Sequence, residues 1–453
     1  MKDLTQGHVF KNLIIYSWPI MIADLLQSLY SAIDAVWVGR LIGPNALAAI
    51  SASMPITFFL ISLLIGLTAA TVIMVGQAYG MKDMNFVSQV LVNSFCTILV
   101  LVGIMSLTGF IFAEFILKFL NTPPEIIGQA ARFIKIIFAG LIFMFAHSWF
   151  AGILRGLGDS KTPLLFSAIY VALNISLCPV LILGLGPLPA LGIAGSALST
   201  VIAGAIVTLI AFIYLARKNV LFNILKWKYR LNFLIIKKMF LVGLPVSLQM
   251  VIVSLSAIVI ISIVNRFGPD VIAAYGIGIR IDQFSFIAAM SFGAAASAFT
   301  AQAAGADKFH KVPDIAKWTI VLSLSVSALF FLIVLLTRSE IAGIFTSSPG
   351  VISHASLYFL FSVFSYFAYS VMFAYQGIIR GTGNTVIPLL FAFISLIIFR
   401  ALLAWLLVEA TSLRETAVWI ALLSSSVAGM ILNYLYYRSG RWRNNILLNP
   451  KNI

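Results

Sequence analysis

Charged side chains are scarce in this sequence, and cysteine is nearly absent. Only 9% of the 453 residues are Asp, Glu, Lys or Arg, whereas a soluble globular protein carries roughly 25%. Because the chain cannot cover itself with a water-compatible surface, we do not expect a soluble protein. Its two cysteines, Cys96 and Cys178, lie inside apolar runs, which excludes a disulfide framework and a cysteine-based metal site.

Motifs of ATP-driven and metal-dependent enzymes are missing as well. The sequence contains no phosphate-binding loop, no His-Glu-x-x-His pattern and no nucleotide-binding domain. Nothing in it is built to hydrolyse ATP, so any uphill transport has to draw on an ion gradient, and no cofactor is expected. The alternation of apolar and polar residues that a transmembrane barrel requires is also absent.

Long apolar runs dominate what is present. Apolar residues make up 61% of the chain, and the mean hydropathy is +1.07. A helix needs roughly 20 apolar residues to cross a bilayer, and about 12 runs reach that length. They lie near residues 13–38, 46–78, 86–112, 126–152, 163–185, 192–216, 236–264, 271–303, 315–337, 351–378, 386–408 and 415–437. The sequence therefore predicts an all-α integral membrane protein.

The distribution of lysine and arginine predicts the orientation in the membrane. The net charge is +15, and basic residues cluster in 217–238 and 438–451, whereas the opposite loops hold fewer cations, such as Arg40 and Arg266. Because cytoplasmic loops are enriched in Lys and Arg, we expect a multi-pass protein of the inner (plasma) membrane with both termini cytoplasmic. Anionic headgroups attract such clusters, so membrane lipids are expected partners and nucleic acid is not. The opening apolar run is too long for a cleavable signal peptide.

The sequence repeats itself after about 225 residues. Residues 152–159 and 377–384 share a pattern of glycines around an arginine, and each is followed by a proline four residues on. Six spans per half return the chain to its starting side, so the halves point the same way. This predicts two pseudo-symmetric six-helix lobes, 1–216 and 236–453, joined by a cytoplasmic connector at 217–235.

Two similar lobes that face each other form a cleft that can open to either side of the membrane. This geometry permits alternating access, so the architecture predicts a transporter. Channels and structural bundles are also built from duplications and remain alternatives.

Asp34 is the foremost candidate among the few ionisable residues inside the spans. Such groups cost several kcal/mol at mid-membrane depth and are functional candidates by default. Gln27, Tyr30 and Asp34 are spaced i, i+3, i+7, which puts them on one face of the first helix. The repeat has Val253, Ser256 and Ile260 at these places. Because the second half forms the same helix without the carboxylate, Asp34 is predicted to belong to a solvated wall or to an ion site.

Other polar residues in the spans are weaker candidates. Asn174 and Thr200 lie in the fifth and sixth spans, and the counterpart of Asn174 is Phe399. A membrane asparagine can equally well join two helices by a hydrogen bond. The secondary candidates are Asp24, His147, Arg280 and Asp282. For each of them a structural hydrogen-bonding role is the alternative.

One segment is similar to an intramembrane aspartyl protease. Asp159 ends a Gly-Leu-Gly-Asp sequence, and Pro189-Ala-Leu191 follows some thirty residues later. However, Asp159 precedes a positively charged loop, and its counterpart in the repeat is Asn384. The segment therefore predicts a cytoplasmic turn, and an enzyme is not expected.

Four motifs of the sequence together carry a resemblance to a known family. They are Pro19…Gln27…Tyr30…Asp34…Val38-Gly39, Arg155-Gly-Leu-Gly-Asp159, the run from Gly186-Pro187 to Thr200, and Arg280-Ile-Asp282. With these motifs the whole chain resembles the multidrug and toxic compound extrusion (MATE) family of secondary transporters, in its bacterial branch related to DNA-damage-inducible membrane proteins. The resemblance implies that Asp34 binds the coupling ion and that Asn174 and Thr200 are its polar partners. It also implies that Gln27 and Tyr30 line the same cavity, in which we include Pro19 and Cys178.

Cys178 departs from the family pattern and bears on the coupling ion. Many members have an acid at this place, four residues after the asparagine on the same helix face. Na⁺ prefers oxygen ligands, so losing a carboxylate favours proton coupling, with Na⁺ at Asp34 as the alternative and no other metal expected. The implied function is a monomeric antiporter that exports lipophilic or cationic organic compounds. A lipid-linked precursor flippase of related fold is the alternative, and an ion channel or a protease is more remote.

Overall fold

The computed structural model describes residues 2–184, 189–218, 231–444 and 447, which contain twelve helices long and apolar enough to cross a membrane. These are α1 (Val9–Leu41), α2 (Pro44–Gly80), α3 (Met84–Phe119), α4 (Pro124–Gly156), α5 (Lys161–Leu183), α6 (Ile193–Arg217), α7 (Phe233–Phe267), α8 (Pro269–Gly305), α9 (Phe309–Leu336), α10 (Pro349–Gly381), α11 (Val386–Ala410) and α12 (Glu415–Arg438). A short helix, Arg338–Phe345, lies between α9 and α10.

Each predicted span coincides with one of these helices to within seven residues at either end, and no strand occurs in the described parts of the chain. The predicted all-helical membrane fold is therefore confirmed. Most of the predicted connector (219–230), the pair Gly186-Pro187 and the end of the basic C-terminal cluster lie outside the described residues.

Local sequence explains where several helices begin. Pro44, Pro124, Pro269 and Pro349 each stand at the start of a helix, where the missing N–H costs nothing and the fixed φ suits the first turn. Helix α3 instead has a side-chain cap, because the Asp83 carboxylate accepts a hydrogen bond from the backbone N–H of Phe86 at 3.0 Å.

The chain folds as two compact units. The first comprises Ile22–Gly243, and the second comprises Lys2–Met21 together with Leu244–Asn452. The division between them falls within α1 and α7. The lobe limits drawn from the sequence repeat stay a prediction.

Glycine allows close helix packing inside each unit, as is common in membrane bundles. In the first unit, a Cβ at Gly156 of α4 would lie 3.0 Å from the carbonyl oxygen of Val72 in α2. In the second unit, a Cβ at Gly293 of α8 would lie 2.7 Å from the carbonyl oxygen of Phe373 in α10. These pairs of helices therefore meet almost backbone to backbone, which leaves little freedom for side chains near the contacts.

Helix α11 contains a π-helical stretch, Ile394–Leu402. The hydroxyl of Ser256 in α7 donates a hydrogen bond of 2.9 Å to the carbonyl oxygen of Leu396 within it. A side chain that satisfies a backbone carbonyl in this way stabilises a local departure from α-helical geometry.

The N-terminal segment, residues 2–7, is tied to the second unit. The backbone N–H of Leu4 donates to Gln302 Oε1 at 2.8 Å, Lys308 donates to the Thr5 hydroxyl at 3.0 Å, and Lys311 donates to the Thr5 carbonyl. Burial raises the pKa of Asp3, but hydrogen bonds from Thr5 and Gln6 and the nearby charge of Lys308 lower it more. The pKa of Asp3 therefore lies below its ordinary value.

Candidate functional site

Asp34 is held by donors from two other helices of the first unit. The Cys178 thiol of α5 donates to Asp34 Oδ1 at 3.3 Å. The Ser196 hydroxyl of α6 lies 3.1 Å from Oδ1 and 3.3 Å from Oδ2. The carboxylate is partly buried, and among the described residues no Lys, Arg or His forms an ion pair with it within 4 Å. Its hydrogen bonds therefore come from neutral groups.

Close packing of α5 against α6 brings these donors together. A Cβ at Gly195 would lie 2.6 Å from the carbonyl oxygen of Leu181, so the two backbones touch beside Ser196. Cys178 lies one turn before Leu181 on α5. Ser196 was missed by the sequence analysis. Its position next to a glycine and four residues before Thr200, on the same face of α6, is the signal that could have found it.

Tyr30, Asn174 and Thr200 form a second group beside Asp34. The Thr200 hydroxyl oxygen lies 3.1 Å from the Tyr30 hydroxyl and accepts from Asn174 Nδ2 at 3.0 Å. Asn174 Nδ2 also donates to the Ser199 hydroxyl at 3.4 Å. Thr200 therefore links Asn174 to Tyr30, one turn from Asp34 along α1. The carboxylate itself is contacted by Cys178 and Ser196.

Two polar atoms in the same region have no hydrogen-bond partner within the described parts of the chain. They are Asn174 Oδ1 and His147 Nδ1, and both are buried. The His147 ring stacks on Tyr170 with centroids 5.9 Å apart, and Tyr170 meets Tyr30 edge to face at 5.7 Å. The structure thus places His147 against Tyr170, which in turn contacts Tyr30.

The remaining first-helix candidates lie further away. The Gln27 side chain is exposed, which in the apolar part of a membrane is tolerable only beside water or other polar groups. Asp24 is partly buried and lies ten residues before Asp34, about 15 Å along the helix. Pro19 is buried and lies about 22 Å before Asp34 along the helix. The structure does not bring Pro19 to the carboxylate.

In the second unit, Asp282 of α8 accepts three hydrogen bonds from α10. Tyr358 donates to Oδ2 at 2.6 Å, and Tyr366 and Ser362 donate to Oδ1 at 2.6 and 3.1 Å. We call these three side chains the α10 hydroxyl cluster. None of the three was predicted from the sequence, although their i, i+4, i+8 spacing puts them on one helix face. Arg280 is exposed, and no ion pair within 4 Å joins it to Asp282 in the described structure.

The counterparts of the Asp34 group in the second unit are mostly apolar. Ile260 stands where Asp34 does and is completely buried. Ser256, the counterpart of Tyr30, uses its hydroxyl on the π-helical stretch of α11. The second unit therefore builds the corresponding helix without a carboxylate, as the repeat indicated.

Asp159 lies in a helix-capping turn. Its carboxylate accepts hydrogen bonds from the N–H groups of Lys161 and Thr162 at 3.0 and 3.1 Å and from the Thr162 hydroxyl at 2.6 Å. Asn384 accepts similarly from the N–H of Ile387 at 3.3 Å. Both turns thus use the side-chain oxygen to start the next helix. Within the described residues no group of three or more His, Cys, Asp or Glu could hold a metal ion.

Comparisons with known proteins give a consistent result. The sequence model of the family MatE matches residues 19–180 and again 245–406. The chain is 32% identical over 449 residues to the probable multidrug resistance protein YpnP of Bacillus subtilis (strain 168), covering 97% of both chains. It is 29% identical over 437 residues to the probable multidrug resistance protein YoeA of the same organism, covering 95% of this chain and 94% of that one.

A crystal structure of MATE in complex with MaD3S has the same fold. It superposes with a TM-score of 0.87 at 24% identity, covering 96% of this chain and 97% of that chain. The two matches to the family model begin at residues 19 and 245, which agrees with the repeat found in the sequence.

Proposed function

The chain belongs to the MatE family of transporters, and we propose that it is a secondary multidrug antiporter that exports lipophilic or cationic organic compounds in exchange for protons. The observation that carries the proposal is the setting of Asp34. Its carboxylate is held by a thiol and a hydroxyl, whereas the second unit has the buried Ile260 at the corresponding place.

The charge of Asp34 explains how exchange arises. Since the described part of the protein offers no cationic side chain to Asp34, its negative charge has to be balanced from outside or removed by a proton. A cationic compound balances the charge and a proton abolishes it, so binding of one opposes binding of the other. Such mutual exclusion at one site, combined with access from alternate sides, produces antiport.

The donor set favours protons over Na⁺. Na⁺ prefers several oxygen ligands, whereas the contacts of Asp34 are a sulfur atom at 3.3 Å and one hydroxyl. Asn174 carries an oxygen that a Na⁺ site could recruit, its unpartnered Oδ1, but its Nδ2 holds it to Thr200 and Ser199, and Thr200 contacts Tyr30, one turn of α1 from Asp34. A proton needs no such ligand shell.

Topology supports an orientation with the N-terminus in the cytoplasm of a plasma-membrane protein. The basic loop between α8 and α9 contacts the N-terminal segment through Lys308 and Lys311, so these cations and the N-terminus lie on the same side. Cationic loops favour the cytoplasmic side.

The test is transport of ethidium, a lipophilic cation, by purified protein in liposomes under separately imposed proton and Na⁺ gradients. We expect a proton gradient alone to drive accumulation, and the Asp34→Asn variant to lose it. The matched control is Asp159→Asn, another Asp-to-Asn change in the first unit, at a turn where the repeat already has Asn384.

Three outcomes would refute the proposal. Accumulation driven by a Na⁺ gradient alone would make Na⁺ the coupling ion. Unimpaired proton-driven accumulation by Asp34→Asn would remove Asp34 from the mechanism. A gradient-driven current without saturable exchange would indicate a channel.

A further inference from the structure

Asp282 accepts hydrogen bonds from a group of hydroxyls that takes no part in the proposed mechanism at Asp34. The three hydroxyls of the α10 hydroxyl cluster all point at one carboxylate, two of them at 2.6 Å. Tyr358 and Tyr366 are almost completely buried. Asp282 is partly buried, and its three O–H donors stabilise the ionised form of the carboxylate without a cation.

Tyr358 of the cluster is packed tightly between two neighbouring helices. A Cβ at Gly278 of α8 would collide with the Tyr358 ring, so α8 and α10 are in close contact here. On its other side the Tyr358 ring meets Trp419 of α12 edge to face, with centroids 4.8 Å apart. The Tyr358 ring is therefore held in position between α8 and α12.

A small cavity reaches the carboxylate. It measures about 30 Å³, and its polar lining is provided by Asp282, Tyr358, Ser362, Ser365 and Tyr369. A cavity holds a water molecule when it offers roughly 10–15 Å³ and two to four polar partners. Oδ2 of Asp282 accepts one hydrogen bond from the described residues, and a carboxylate oxygen can accept a second. Water in this cavity can therefore exchange a proton with Oδ2.

The charged and titratable groups around the cavity are few. Tyr358, Tyr366 and Tyr369 come from α10, and Tyr275 comes from the same helix as Asp282. From α11, Arg400 donates to Tyr369 at 3.2 Å and to Ser425 of α12 at 2.9 Å. Trp419 is the aromatic lining residue that α12 contributes. Among the described residues, no cation forms an ion pair with Asp282 within 4 Å.

The sequence repeat shows that the fold does not require this cluster. With the repeat offset of 225 residues, Asp282 corresponds to Thr57, and the α10 hydroxyl cluster corresponds to Phe133, Ile137 and Leu141. These three apolar side chains are buried in the first unit. Asp34 in the first unit and Asp282 in the second are thus both carboxylates inside a span that accept from neutral donors, and each stands at a place where the other unit has no carboxylate.

From this arrangement we infer that Asp282 is a second proton-binding site, which exchanges a proton with water in the cavity beside Tyr358 and Ser362. The inference rests on the proposed antiport and adds one proton to the transport cycle. A hydronium ion in the cavity gives its proton to Oδ2 and leaves as water. The new carboxyl O–H then donates to the Tyr358 oxygen, and the Tyr358 hydroxyl turns its own hydrogen towards the cavity water.

The direct test is infrared difference spectroscopy of purified protein during a pH titration, because a protonated carboxyl group has its own C=O stretching band. We expect Asp34→Asn to retain a titrating band that Asp34→Asn/Asp282→Asn lacks. Asp34→Asn/Ser362→Ala keeps the carboxylate but loses one donor, and its band should persist at a shifted frequency. Identical spectra for the first two variants, or a band that responds to Na⁺ and not to pH, would overturn the inference.

A transport measurement separates this inference from the proposed function. Protons moved per ethidium are counted in liposomes, and the count should fall by one in Asp282→Asn relative to wild type. An unchanged count would overturn the second site while leaving Asp34 as the coupling residue. If the wild type moves no protons, the proposed function itself fails, whatever the infrared spectra show.

Discussion

The contact between α8 and α10 gives a stability prediction whose size follows from the structure. An added Cβ at Gly293 would lie 2.7 Å from the carbonyl oxygen of Phe373 and 3.1 Å from its Cβ. Carbon–oxygen contacts between packed helices are about 3.3–3.6 Å, so Gly293→Ala has to open the helix pair by roughly 0.6 Å. Overpacking of this kind costs about 1–3 kcal/mol. The obstructing atoms are a backbone oxygen and a Cβ, neither of which moves with the side-chain rotamer, so a change of rotamer cannot relieve the collision.

Gly276 in the same helix is the matched control, because nothing lies within 4 Å of a Cβ added there. Both changes gain the same helix propensity of about 1 kcal/mol, so the difference between the variants reports the packing cost. For a unit of this size, 1 kcal/mol corresponds to about 2–4 °C. Thermal denaturation of detergent-purified protein can be monitored by size-exclusion chromatography. In this assay Gly293→Ala should therefore melt roughly 2–12 °C below Gly276→Ala. Equal melting temperatures would refute the close contact.

Further predictions concern the N-terminal segment and the surface. The pKa of Asp3 in the folded protein lies below its ordinary value, so ionised Asp3 stabilises the N-terminal segment. This stabilisation is complete above the pKa that Asp3 has in the unfolded chain. It is lost as the pH falls through the lower pKa of the folded protein. Asp3→Asn should mimic that loss at neutral pH and speed amide exchange at Leu4 and Thr5, whereas unchanged exchange would contradict it. The pair Arg266–Glu409, 2.6 Å apart but about half exposed, should contribute under about 1 kcal/mol. Arg266→Gln should therefore leave the melting temperature within a few degrees of wild type, and a larger fall would show that the pair is not screened.

The spans could be predicted from the sequence because apolar length is a local property. A run of more than twenty apolar residues has few alternatives to crossing a membrane, and all twelve predicted spans are helices. The repeat was also visible, because glycine, proline and arginine keep their spacing in turns and at helix ends.

The contacts of the carboxylates could not be predicted in the same way. Ser196 is one serine among many in apolar helices, and its role depends on the approach of α6 to α5 at Gly195, which is a tertiary fact. The α10 hydroxyl cluster was missed for a different reason. Its spacing was visible, but the candidates taken from the second half of the sequence were charged residues, so its tyrosines and serine were passed over. The π-helical stretch of α11 depends on a hydroxyl from α7, so no local sequence pattern within α11 predicts it.

The central claim is that one carboxylate, Asp34, exchanges a proton for a cationic compound. The most direct measurement records proton movement and ethidium movement together in the same proteoliposomes, with no Na⁺ gradient. Added ethidium should trigger opposite proton movement in the wild type and in Asp159→Asn, and Asp34→Asn should no longer move ethidium uphill under an imposed pH difference. An Asp34→Asn protein that still accumulates ethidium against its gradient at the expense of the pH difference would contradict the account.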